Sequence, residues 1–297
     1  MTNRLTENAP VLVSMLLLVD SLHFVFARLL APLLPPTTGA MYVVGVGAVE
    51  VAVFLIGQRR IRFTVFRQHA WFFVVVGFLV ASSTAVNYTA VSYIDPGTAS
   101  LLGQTSIIFA LAFSLIWLRE RLSRMEWIGA WIAILGIFVI SFQPGDYLRL
   151  GSLLVLGSAC MYSLHAAVVK RYGEEIDFAN FFLFRVLSTT GFLILFTTAQ
   201  QQWIWPGWEA WPFILLAGTS DVVISRVLYY LALRRLQMSF HAILLTLSPV
   251  ITILWSLVLF GERPSLQGLI GGAVVIAGVI LVTQGKLQTQ REKAKFV

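Results

Sequence analysis

The chain of 297 residues is 58% hydrophobic and only 12% charged, with a mean hydropathy of +0.83. Soluble domains carry about 25% charged residues, so this composition excludes an ordinary soluble domain and points to a multi-pass membrane protein. The net charge of +7 therefore reads as membrane topology rather than nucleic-acid binding, and the single Cys160 excludes an internal disulfide.

A helix needs about 20 residues to cross the roughly 30 Å hydrocarbon core. Helices are the spanning form expected here, because open sheet edges would leave backbone groups unpaired in lipid. Apolar stretches predict ten spans after a tail at 1–10: 11–31, 40–57, 70–92, 97–118, 126–142, 151–171, 178–199, 211–233, 239–260 and 266–284, with a basic tail at 285–297. The first is read as retained rather than cleaved: it is long for a signal peptide, is interrupted by Asp20, and lacks a small-residue cleavage site. Ser123 and Glu126 match the S-x-x-E capping box at the start of the fifth span, so the loop around Glu120 reads as structural. Between the seventh and eighth spans, QQQWIWPGWEAW (200–211) holds four tryptophans and no Lys or Arg, as expected of an anchor at the headgroup level.

Loop charges predict orientation. Arg4, Arg59, Arg60, Arg62, Arg67, Arg119, Arg121, Arg124, Lys170, Arg171, Arg234, Arg235, Lys286, Arg291, Lys293 and Lys295 fall on one side, against only Arg149 and Arg263 on the other. The positive-inside rule then puts both termini in the cytoplasm, as an even number of spans requires.

The tripeptide SLH occurs at 21–23 and again at 163–165, an offset of 142. At the same offset RERLSRMEWIGAWIAILG (119–136) aligns without a gap on GERPSLQGLIGGAVVIAG (261–278), pairing Glu120 with Glu262, Gly129 with Gly271 and Gly136 with Gly278. The halves 11–142 and 151–284 thus read as a duplication. Each holds five spans, an odd number, so the second copy enters the membrane upside down.

These paired segments resemble the two signature halves of the drug/metabolite transporter superfamily, and specifically its EamA-type permeases. The resemblance covers essentially the whole chain and implies a ten-helix carrier with a central cavity between two inverted bundles. The family's frequent arginine in the seventh helix is matched by Arg185, whereas Val43 occupies the matching position in the second.

Ionisable groups at bilayer depth cost roughly 2.5–3.5 kcal/mol on insertion scales, so each needs a partner or a wet cavity. Asp20, Glu50, Arg185, Asp221 and Arg226 are such groups, with Arg28 nearer an outer end. Within a continuous first helix Asp20, His23 and Ala27 share a face. Asp221 and Arg226 point about 140° apart on the eighth, so each must look to another helix. Arg185, Glu50, Asn87, Tyr88, Gln104, Tyr229 and Tyr230 are expected to bind substrate. Asp20, His23, Asp221, Arg226 and His165 are expected to couple protons or form ion pairs, with structural locking or simple packing as the alternative for His23, His165 and Arg226; Arg28 is expected either to form a fixed ion pair or to snorkel outward. Gly268 and Gly272 form a GxxxG, thin support for a homodimer.

The expected function is a secondary transporter of the cell inner membrane that exports a small polar or zwitterionic metabolite, an amino acid or a relative, by alternating access with proton coupling. The alternative is export of hydrophobic or cationic drugs. A cofactor, a metal and nucleic acid are not expected: there is no HExxH, no G-x-S-x-G and no phosphate loop, which also speaks against an enzyme.

Overall fold

A computed structural model describes residues 9–117, 122–141, 150–173, 175–228 and 247–295, all of them helix, turn or irregular segment. The glutamate of the first signature loop, Glu120, the start of the ninth predicted span, Tyr229, Tyr230 and His241 lie outside the described residues. Among the described residues, seven helical stretches are long and apolar enough to cross a bilayer.

The first predicted span is not one helix but two. Helix α1 (Ala9–Asp20) and helix α2 (His23–Leu30) are separated by a turn at Ser21 and Leu22. No glycine or proline marks this break; Thr252 Oγ1 donates to the Ser21 carbonyl at 2.9 Å from a helix far along the chain. Helix α3 (Pro36–Gly57) starts earlier than its apolar run, with Pro36 in the first turn, where its missing N–H costs nothing. A short α4 (Phe63–Gln68) leads into α5 (Ala70–Ala90).

The fourth span is also broken. Helix α6 (Pro96–Gly103) is capped by Asp95, which accepts from Thr98 N at 2.8 Å, and α7 (Ser106–Ile116) follows after Gln104 and Thr105. Helix α8 (Arg124–Ser141) opens on the expected capping box: Ser123 N donates to Glu126 Oε2 at 2.7 Å, and Glu126 N donates to Ser123 Oγ at 3.3 Å. Helices α9 (Leu150–Tyr172) and α10 (Phe178–Ala199) are unbroken, the latter capped by Asp177 on Asn180 N at 3.0 Å.

The eighth span begins as α11 (Trp211–Ala217) and widens into a π-helical segment, Gly218–Ile224. Such segments concentrate at functional sites because the extra residue re-aims side chains. Helix α12 (Ser248–Phe260) ends at Gly261, whose φ of 64° is the left-handed geometry of a C-terminal cap. Helix α13 (Leu266–Lys295) runs through most of the predicted basic tail rather than stopping at 284.

Among the described residues helices α8 and α13 form the most extensive pair, and they lie antiparallel. Gly129 faces Gly278 and Gly136 faces Gly271, so closely that a Cβ on Gly278 would lie 2.5 Å from Ala133 N and 2.6 Å from the Gly129 carbonyl. Gly272 packs on Leu101, and Gly268 lies near Thr98 and Pro264. Both glycines of the GxxxG thus have neighbours within the chain. Elsewhere Ser83 and Ser158 hydroxyls meet at 2.8 Å between α5 and α9, and Gln267 Nε2 donates to the Val139 carbonyl at 2.6 Å. Large apolar side chains such as Val53, Phe54, Trp131 and Val258 are exposed, as a lipid-facing surface requires. In the tryptophan-rich connection Trp208 is 91% exposed, while Trp205 and Trp211 stack about Tyr42.

Candidate functional site

The break after Asp20 decides where the first-span polar residues go. In a continuous helix Asp20 and His23 would address the same neighbour; the turn at Ser21 and Leu22 separates them. Asp20 accepts from Ser248 Oγ at 3.1 Å and more distantly from Ser225 Oγ at 3.5 Å. His23 Nδ1 meets Asp221 Oδ2 at 2.7 Å. The imidazole also packs edge-on against Phe24 and, at 6.1 Å between centroids, against Tyr88.

The π segment supplies the partners. Thr219 Oγ1 donates to Glu50 Oε1 at 2.6 Å, Asp221 takes His23, and Ser225, at its end, reaches Asp20. Asp221 is only 8% exposed, and the His23 imidazole is its partner there.

The second half contributes the cations. Tyr162 on α9 hydrogen-bonds the Arg185 side chain of α10, with Arg226 and Asp20 within electrostatic reach of the same phenol. Arg226 also lies within reach of His23 and of His165, which bonds the Tyr162 carbonyl at 3.3 Å. Asp20, His23, Asp221, Arg226, Arg185, Tyr88 and His165 therefore gather in one polar cluster. Tyr162, Ser225 and Ser248 join them, hydroxyl groups that no charge or local motif marks as site residues.

Some expected members stand apart. No described contact connects Glu50 to the cluster; it is held on the α3 side by Thr219. Asn87 and Gln104 are half-buried, and Asn87 Oδ1 has no hydrogen-bond partner among the described residues. Arg28 does not snorkel outward: Nη1 donates to the Val91 carbonyl at 2.8 Å and Nη2 to Glu262 Oε1. This pair ties α2 to the end of α5 and to the loop entering α13, and it reads as a structural clamp. Arg28→Met should therefore lower thermal stability more than Arg28→Met/Glu262→Gln does. The single change leaves a partly buried carboxylate with no cation, and couplings of this kind run to roughly 0.5–3 kcal/mol. Equal melting temperatures for the two variants would dismiss the clamp.

Residues 10–142 and 149–284 both match the EamA-like transporter family. The chain is 29% identical to an uncharacterised transporter, YdfC, of Bacillus subtilis (strain 168) over 63% of this chain, and it spans about 62% of that relative's length. It is 25% identical to a riboflavin transporter of Vibrio cholerae, over 88% of this chain and 87% of that one. It is 26% identical to the "Probable terminal-alkyne amino-acid exporter" of Streptantibioticus cattleyicolor, over 67% and 68%. A solved crystal structure superposes with a TM-score of 0.63 over 93% of this chain and 96% of that one; at 17% identity the likeness is of fold alone.

Proposed function

Since the chain belongs to the EamA-like transporter family, we propose that it is an alternating-access carrier of the cell inner membrane that exports a small zwitterionic metabolite, an amino acid or a close relative. In this reading it has ten spanning helices in two inverted halves, 11–142 and 151–284, with both termini cytoplasmic. The glycine contacts support the inversion. The offset of 142 turns the Gly129–Gly278 contact into Gly271–Gly136, which is the other contact between α8 and α13. An exchange of that kind is what a two-fold axis in the membrane plane produces.

The observation that carries the substrate class is that opposite charges from opposite halves act on one phenol. Asp20 comes from the first half, Arg185 and Arg226 from the second, and Tyr162 lies within reach of all three. Arg185 suits a carboxylate, which its planar fork binds bidentately. Asp20, held by two hydroxyls, suits an ammonium group or a coupling proton. The amino-acid exporter among the relatives is consistent with this pairing.

Counterflow in proteoliposomes across amino acids, amines, nucleosides and sugars tests the assignment. At least one amino acid should exchange, and Arg185→Gln should raise its half-saturation concentration about tenfold or more, the worth of a charge-assisted hydrogen bond. Flux of lipophilic cations with no amino-acid exchange would replace this reading with drug export.

A further inference from the structure

A trough of about 530 Å³ opens on the outer surface between α5, α9 and α10, and none of its lining residues belongs to the polar cluster. Leu79 and Val168 are its buried floor, and Val74, Val75 and Phe78 are its exposed wall. Every lining residue is apolar. The volume falls in the range of roughly 300–1,000 Å³ that small-molecule sites occupy.

One end of the trough is chemically different. Trp117 closes it, and Arg171 lies beside Trp117, its guanidinium carbon 5.7 Å from the indole centroid and Nη1 donating to the Trp117 carbonyl at 3.1 Å. Arg171 follows the lining residues Leu164 and Val168 on one face of α9, at i+7 and i+3. Tyr172 stacks edge-on with Trp71 at 5.0 Å, and Trp71 precedes Val74, Val75 and Phe78 on one face of α5. Exposed Trp and Tyr mark the headgroup level of a bilayer. Arg171 is itself exposed, and among the described residues no carboxylate lies within ion-pair distance of it.

We propose that this trough is a binding site for one anionic phospholipid, an acyl chain lying along Val75, Phe78 and Val168 and the headgroup phosphate meeting Arg171. The charge at the aromatic end selects the headgroup; a zwitterionic lipid offers the same chain but a nearby ammonium that opposes the guanidinium. Neither the identity of the transported solute nor the orientation of the chain enters this assignment.

Native mass spectrometry of the delipidated full-length protein, offered phosphatidylglycerol and phosphatidylcholine with identical acyl chains, reads it directly. The parent should retain phosphatidylglycerol about fivefold better, the contribution of one basic residue near a membrane surface. Arg171→Gln should bring the two lipids to parity, Arg171→Lys should keep most of the preference, and Val75→Trp, which fills the trough from an exposed position, should weaken retention of both. Parity in the parent, an unchanged preference in Arg171→Gln, or full retention in Val75→Trp would each overturn the site. Should Arg171→Gln fail to give a monodisperse protein, the parent ratio and the Val75→Trp result decide.

Discussion

Asp20→Asn should erase the response of substrate exchange to a pH gradient, while exchange between equal compartments, weakened where Asp20 meets the ammonium group, stays measurable. The amide keeps the shape of the carboxylate and an oxygen to accept from Ser248 and Ser225, so the local fold survives. What it loses is a group that can take up and release a proton. A carrier that exchanges one proton per substrate accumulates up to about tenfold per pH unit, since one unit is worth about 1.4 kcal/mol. The parent should approach that limit in proteoliposomes under an imposed gradient, and the variant should stay near equal concentrations. His23→Gln, tested alongside, removes the neighbouring imidazole and should reduce coupling only in part, because Asp221 and not Asp20 is its partner. Proton-driven accumulation in Asp20→Asn equal to the parent's would take Asp20 out of the mechanism.

The charges follow a rule that the duplication makes visible. At the offset of 142, Tyr162 stands opposite Asp20, Phe192 opposite Glu50, Val43 opposite Arg185, Leu79 opposite Asp221 and Thr84 opposite Arg226. None of these intramembrane charges has kept its copy, whereas Gly129, Gly136, Gly271 and Gly278 all have theirs. The two halves therefore share a packing scheme and differ in electrostatics: Asp20 and Glu50 lie in one, Arg185 and Arg226 in the other, where the one acid, Asp221, is taken up by His23. Such a division gives a zwitterion two distinct ends to address, which a symmetric cavity does not. His23 and His165 make the point in miniature, since the duplicated imidazoles have different partners, a carboxylate for one and a backbone carbonyl for the other.

That division also explains which parts of the site are legible in the amino-acid sequence. Charges within apolar runs announce themselves by their cost, so Asp20, Asp221, Arg185 and Arg226 stand out, and the capping box at Ser123 is a local pattern readable within four residues. Tyr162 does not stand out, because a tyrosine among apolar residues passes for packing; its place opposite Asp20 in the repeat is the one signal it carries. The break at Ser21 has no local signature, because Thr252, whose hydroxyl bonds the Ser21 carbonyl, is 231 positions away. Arg28 is undecided for the same reason: its sequence context leaves snorkelling and a fixed ion pair both open, and only the fold reveals Glu262 beside it.

The largest loss of stability should come from the smallest substitution, Gly278→Ala. Its methyl group would lie 2.5 Å from Ala133 N and 2.6 Å from the Gly129 carbonyl, separations that backbone atoms cannot absorb by a rotamer change. Helices α8 and α13 must move apart along their length, and overpacking of this kind costs roughly 1–3 kcal/mol or more. Lipid cannot compensate, because helix association in a bilayer rests on close van der Waals packing rather than on hydrophobic expulsion. Gly191→Ala on α10 is the control, since nothing lies within 4 Å of its added methyl and alanine favours the helix by about 1 kcal/mol. Thermal unfolding in detergent should separate the two variants in opposite directions from the parent. Adding Gly129→Ala to Gly278→Ala should cost less than the sum of the two single changes, because the first has already parted the helices. If Gly278→Ala instead melted with Gly191→Ala, the close antiparallel contact would be wrong, and the support it lends to an inverted repeat would go with it.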